Sequence, residues 1–227
     1  MHETGKCGKL LRPRFPTSLR MTLFKLLQQT RDALRRTRLA VVRDEQRLRA
    51  GAQLLAAVSG GVVRPYATRD YGRGRYEGAC SVLLPPERLM AALRAMRVRL
   101  PDGLLAFVGT SHSLARPAPE GVELVVAAAD EQFDILRIAA TVAARPLRTT
   151  EQLIAQLRVW DAAYGIDIWQ AETDTVQLQL RTLPRNLAGF AQEVRMVCPA
   201  TVEQGTGSVA ALAAAIRQTR ALNLWWR

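Results

Sequence analysis

The sequence predicts an α+β protein: a C-terminal ferredoxin-like split β-α-β sandwich, preceded by a long basic helix and a smaller α/β subdomain. Three observations lead there. Leu27, Leu34, Val41, Leu48 and Leu55 recur every seven residues and mark one long helix. Short apolar runs bounded by Gly and Pro follow it and read as strands around one helix. From Phe133 onward the segments order as β-α-β-β-α-(α)-β, the split pattern of a ferredoxin-like sandwich. The expected divisions are a leader over 1–20, the helix over 21–60, an N-terminal subdomain over 61–130 and a C-terminal domain over 131–227.

The leader holds Pro13, Pro16, Gly5 and Gly8 without periodicity, so Met1 or Met21 can be the start. Its Leu10-Leu11 is too short an apolar core for a secretory signal, which places the chain in the cytoplasm. Thr22 caps a helix from Leu23 to Ala57, ended by Ser59-Gly60-Gly61. The stripe that would complete a coiled-coil seam holds Thr30, Thr37, Asp44 and Gly51, so this helix is expected to rest on the protein's own body. Tyr71–Gly78 mixes Arg, Gly and Tyr and reads as a hairpin turn. Cys80–Leu84 is a strand, and Pro86–Arg99 a helix that buries Leu89, Leu93 and Met96. Leu104–Val108, Val122–Ala128 and Phe133–Ala139 are further strands.

Thr149 opens a helix, and Gln152 three residues later completes a capping box. Leu153, Ile154, Leu157 and Trp160 form its buried stripe, and Gly165 stops it. Ile166–Gln170 and Thr175–Leu180 form a hairpin. Pro184 starts a helix broken at Cys198-Pro199. Ser208 caps the last helix, to Arg220, and Leu222–Trp226 is the closing strand.

The chain has 227 residues, 48% of them apolar, and a formal charge of +12. No apolar run reaches the ~18 residues of a membrane span. The charge is uneven. Residues 1–50 carry 13 Lys and Arg against 4 Asp and Glu, 51–100 carry 8 against 3, and 101–227 carry 11 against 13. A basic arm on a near-neutral body fits a partner contact better than a nucleic-acid surface spread over the whole molecule.

Several motifs of the second half occur in order: Phe133-Asp134-Ile135-Leu136-Arg137, Leu157-Arg158-Val159-Trp160-Asp161, Tyr164-Gly165-Ile166 and Asp174. Leu183-Pro184, Phe190–Val194, Cys198-Pro199, Gln204–Ser208 and the tail Leu222–Trp226 follow. Together they resemble the bacterial family known as domain of unknown function 4253, over roughly residues 100–227. The family tail usually ends in Asp where Arg227 stands. Its Cys-Pro is usually followed by Asp where Ala200 stands, and an aromatic is replaced near Arg195. The resemblance implies a fold and a bacterial origin and attaches no reaction.

The candidate constellations are few. Gly205-Thr206-Gly207-Ser208 at a helix start can cradle a phosphate, or serve as a turn with a Ser N-cap. Asp161, Asp167, Glu172 and Asp174 lie near the hairpin as paired carboxylates or as exposed polar positions. Cys198 and His112 are a thiol and an imidazole without a local nucleophile motif, and three Cys with two His supply no zinc set. Trp225 and Trp226 alternate across a strand, so one enters the core and the other is either exposed as an anchor for a partner or packed under a helix. These features lead to a non-enzymatic protein-binding protein without a cofactor or metal, more specifically a bacterial immunity protein that occludes a cognate toxin or another acidic-surfaced protein. Its expected contact residues are Arg31, Arg35, Arg38, Arg43, Arg73, Arg75, Tyr76, Asp161, Asp174, Trp225, Trp226 and Arg227. One alternative is a nucleic-acid-associated protein using the Arg-bearing helix. Another is a hydrolase or ligand-binding enzyme centred on Asp174 and the Gly205–Ser208 turn.

Overall fold

A computed structural model describes residues 44–67, 75–111 and 120–226; the side chains of Ala67, Arg75 and Glu77 lie outside that description. Residues 44–59 are helical (α1), followed by β1 (Arg64–Ala67), β2 (Arg75–Leu84), α2 (Pro86–Arg99), β3 (Leu104–Val108) and β4 (Val122–Ala128). Then come α3 (Asp134–Ala139), α4 (Thr150–Tyr164), β5 (Ile166–Ala171), β6 (Thr175–Leu180) and α5 (Leu187–Val197). A π-helical turn (Thr201–Thr206), α6 (Val209–Thr219) and β7 (Ala221–Trp225) complete the fold.

All seven strands belong to one mixed sheet, in the order β1-β2-β4-β3-β5-β6-β7, and residues 44–227 form one compact unit. The protein is therefore α+β. Strand alternation sends side chains to two cores. Cys80, Val82, Leu104, Ala106, Leu124 and Val126 meet α1 and α2 on one face. Phe107, Val125, Ile168, Leu178 and Leu224 meet α3 to α6 on the other. Helix α1 lies close against the sheet at Gly51, where a Cβ would stand 2.9 Å from Leu104 Cδ1 and Val126 Cγ1. That contact is why a seam position holds glycine: the helix packs on its own body.

The strand pairings correct the ferredoxin-like expectation. Phe133–Ala139, expected as the first strand of the split motif, is the helix α3 with Phe133 at its N-cap. A short apolar run fits either element; here the helix follows a turn in which Asp134 Oδ2 accepts from the backbone N–H groups of Asp130 and Glu131. Without that strand, β5, β6 and β7 pair consecutively as an antiparallel meander. The helix expected from Pro184 begins at Leu187, where the Asn186 side chain accepts from Gly189 N. β1 is not among the expected strands; it carries Pro65 on an edge strand, where proline is tolerated.

The centre of the sheet is its weakest joint. β3 and β5 are parallel and share only the pair Val108↔Gln170. Towards their amino ends they diverge around a cleft of about 370 Å³ lined by Arg97, Gln132 and Asp167 among others. Side chains replace the missing ladder. Arg97 donates to Ala106 O at 3.1 Å, Ile168 O at 2.6 Å and both Asp167 oxygens. Gln132 donates to Ile166 O and accepts from Ile168 N. Register slips at Trp169, between the pairs of Ile168 and Gln170, where β5 rejoins β3.

Candidate functional site

Part of the signature of the C-terminal half, Cys198, Gly205 and the tail Trp225-Trp226, converges on the outer edge of β7. An edge strand presents unpaired carbonyls that recruit other chains unless they are covered. Here Cys198 Sγ donates to Trp225 O at 3.0 Å, and Thr201 Oγ1 to Asn223 O at 3.0 Å. Burial pushes the Cys198 thiol up, so it keeps the proton it donates. The π-helical turn carries Gly205 against Trp225: a Cβ there would stand 2.7 Å from Cη2 of the indole. Trp226 is buried, donating from Nε1 to Val197 O and from its backbone to Asp174 O.

The structure thus gathers Asp174, Trp225, Trp226 and the Gly205–Ser208 turn into one neighbourhood, where their contacts are architectural. The Asp174 carboxylate accepts from Thr175 Oγ1, and Ser208 caps α6 by accepting from Ala211 N. The two indoles alternate as the sequence implies, Trp226 in the core and Trp225 half-buried. Asp161 is elsewhere, its Oδ1 accepting from Ile166 N at 2.7 Å to hold the step from α4 into β5. Tyr76 is exposed on β2, its ring over Gly78. Arg31, Arg35, Arg38, Arg43, Arg73, His112, Arg227 and the side chain of Arg75 lie outside the described residues.

A second polar cluster, which sequence reasoning missed in part, lies at the carboxyl ends of β3 and β5. Connections leave these neighbouring strands in opposite directions, the arrangement at which open α/β sheets commonly bind ligands. Glu123 is fully buried and accepts from Arg64 Nη2 at 2.9 Å, Ser81 Oγ at 2.6 Å and Thr110 N at 3.2 Å. Glu172 accepts from Ser111 Oγ and Gln170 Nε2. The signal was a lone Glu inside the apolar run Val122–Ala128. These carboxylates turn inward onto protein donors, which makes them a brace for the sheet. Among the described residues no group of three Cys, His, Asp or Glu is placed to hold a metal ion.

Among the described residues, an open apolar groove lies beside α4. Ala143 and Arg148 exchange two backbone hydrogen bonds of 3.0 Å, closing a loop whose tip presents Leu147 at 85% exposure. The facing wall is α4, fixed by the expected capping box of Thr149 and Gln152. Leu153, Ile154, Leu157 and Trp160 point inward as expected. A second apolar stripe of Ala155, Val159 and Ala163 runs along the outside at four-residue spacing, with Val159 at 59% exposure. Pro146, Leu147, Arg148, Gln152, Ala155, Gln156 and Val159 enclose about 530 Å³. The polar neighbours on α4 are engaged internally: Gln156 with Glu193, Arg158 with Glu131 and the Phe133 ring. A globular helix normally keeps its outer face polar, so this helix has two apolar faces and only one is covered.

Fold and surface define an α+β domain with a mixed open sheet, a braced edge and an exposed apolar groove. Residues 123–227 match the family described as Domain of unknown function (DUF4253). Comparison of the chain with curated proteins and with solved structures finds no match. No helix among the described residues is long and apolar enough to cross a membrane.

Proposed function

We propose that this protein works by binding another protein, part of which seats in the groove between the Ala143–Arg148 loop and α4. The observation that carries the reading is the exposed pair Leu147 and Val159 on rigid, capped and hydrogen-bonded elements. Covering both side chains contributes about 2–4 kcal/mol, with little ordering cost because the two walls are already fixed. In its most specific form the proposal is an immunity protein whose partner is a toxin occluded on binding. The excess of 21 Lys and Arg over 7 Asp and Glu in residues 1–100 supports an acidic partner, since complementary charge speeds encounter.

The test places a photo-crosslinking amino acid at position 147 or 159 in the organism that carries the protein. Val98, 86% exposed on α2 across the sheet, is the control position. Crosslinks from 147 and 159 to one protein, absent from 98, are expected. No crosslink from either groove position overturns the reading. The nucleic-acid alternative rests on Arg31, Arg35, Arg38 and Arg43, and predicts binding that falls steeply with salt and disappears when these become Gln.

A further inference from the structure

We infer that the occupant of the groove is an acidic amphipathic helix of the partner protein; this rests on the protein-binding reading and names the segment bound. Two observations select it. The first is shape and spacing. Ala155, Val159 and Ala163 form an exposed aliphatic stripe along α4, a helix of 15 residues, with Leu147 standing beside it. Small and β-branched side chains at four-residue spacing leave a shallow channel along the helix axis. A second helix can lay its own apolar face there, using anchors at positions i, i+3, i+4 and i+7.

The second observation is charge. Arg145 precedes the loop tip and Arg148 lines the groove, and neither makes an ion pair among the described residues. The carboxylates around them are already engaged. Glu151 accepts from Arg137 Nε and Nη2, a pairing that holds its carboxyl below the usual range. Glu193 accepts from Trp160 Nε1 and Gln156 Nε2. The groove wall therefore offers Arg148, with the exposed Arg145 two residues before the loop tip, and no free carboxylate from these neighbours. A helix with Glu or Asp flanking its apolar stripe meets both guanidinium groups; a basic helix meets like charge. Guanidinium groups also match carboxylates two bonds at a time.

The experiment uses the full chain and a fluorescent synthetic helix of about 16 residues, long enough to span α4 at about 1.5 Å per residue. It carries Leu at i, i+3, i+4 and i+7 with Glu on its flanks; a twin carries Lys in place of Glu. Fluorescence anisotropy is expected to show the Glu peptide binding at least about 10-fold tighter than the Lys twin, with the difference shrinking as salt rises. Val159→Asp, at an exposed position that leaves the core intact, is expected to abolish binding, with thermal unfolding of the variant as the check on its fold. Arg145→Glu with Arg148→Glu is expected to reverse the preference. Equal binding of the twins, preference for the Lys peptide, or binding of neither overturns the acidic occupant. So does a dimer in sedimentation that Val159→Asp dissolves. These results are distinct from failure of the protein-binding reading, which is decided by the crosslinks from 147 and 159: a crosslink to a basic segment keeps that reading and overturns this one.

Discussion

Replacing Arg97 tests whether a side chain holds the two halves of the sheet together. Arg97→Met keeps the aliphatic stem and removes the guanidinium that bridges β3 to β5. The change orphans Ala106 O and Ile168 O, both on residues at 2% exposure or less. Each orphaned buried acceptor costs about 1–3 kcal/mol. The Asp167 contact adds at most about 1 kcal/mol, because that carboxylate is 46% exposed and water replaces the lost partner. The expected loss is about 2–7 kcal/mol, a large share of the ~5–15 kcal/mol that holds a typical domain together. In a domain of this size it lowers the melting temperature by about 4–28 °C. Arg97→Lys is expected to fall between, since one ammonium cannot reach both carbonyls and the carboxylate together. Urea unfolding followed by tryptophan fluorescence, fitted with a shared slope, measures it. A change below about 0.5 kcal/mol in Arg97→Met, the range of a surface substitution, would show that the splayed strands need no bridge and refute the argument.

Three further predictions follow from packing and titration. Gly205→Ala puts a methyl carbon 2.7 Å from the Trp225 indole; the ring shifts, near-ultraviolet dichroism changes, and about 1–2 kcal/mol is lost, whereas an unchanged spectrum counts against the contact. Trp160→Phe removes the donor to Glu193 and is expected to cost about 2–3 kcal/mol; in a double-mutant cycle, Glu193→Ala should then add little, and full additivity would deny the bond. Burial pushes the Cys80 thiol up to about 11 from 9.0. The unfolded thiol ionises first, so stability contributed by Cys80 is complete below pH about 9 and lost as pH rises towards about 11. Alkaline denaturation of Cys80→Ala should therefore be flatter over that window, and an identical slope would show that this thiol plays no part.

The sequence was most readable where one element satisfied several local rules at once. Thr149 and Gln152 cap α4, four apolar residues repeat at helical spacing and Gly165 ends it, so boundary and buried face both emerge. The stripe of α2 and the spans of β3 and β4 were legible for the same reason. The α3 segment was not, because a helix of 6 residues is shorter than two turns and shows no period to count. Asp134 orders the turn ahead of it by accepting from two upstream amides, local bonds that apolar pattern does not reveal. Of the candidate contact residues, Asp161, Asp174 and Trp226 serve the fold. The groove was missed because half of it is tertiary: Leu147 reaches α4 only after the Ala143–Arg148 loop closes. Its other half was present in the sequence as Ala155, Val159 and Ala163, a second apolar face on a helix that already had one.

That division also explains the departures from the family pattern. Three residues of the C-terminal signature act at or beside the edge of β7: Cys198 bonds Trp225 O, Gly205 leaves room for the indole, and Ser208 caps α6. Ala200 and Arg195, where the resemblance led to an acid and an aromatic, make none of these contacts. Ala200 supplies backbone at the start of the π-helical turn, and Arg195 is exposed on α5. Of the replaced positions, 200 takes part in that bonding through its backbone alone, beside Cys198, and Arg227 lies outside the described residues. The side chains at positions 195 and 200 therefore take no part in locking β7, and neither lines the groove on α4. Binding through Leu147 and Val159 then requires the fold that the signature secures, without requiring the side chains at positions 195 and 200.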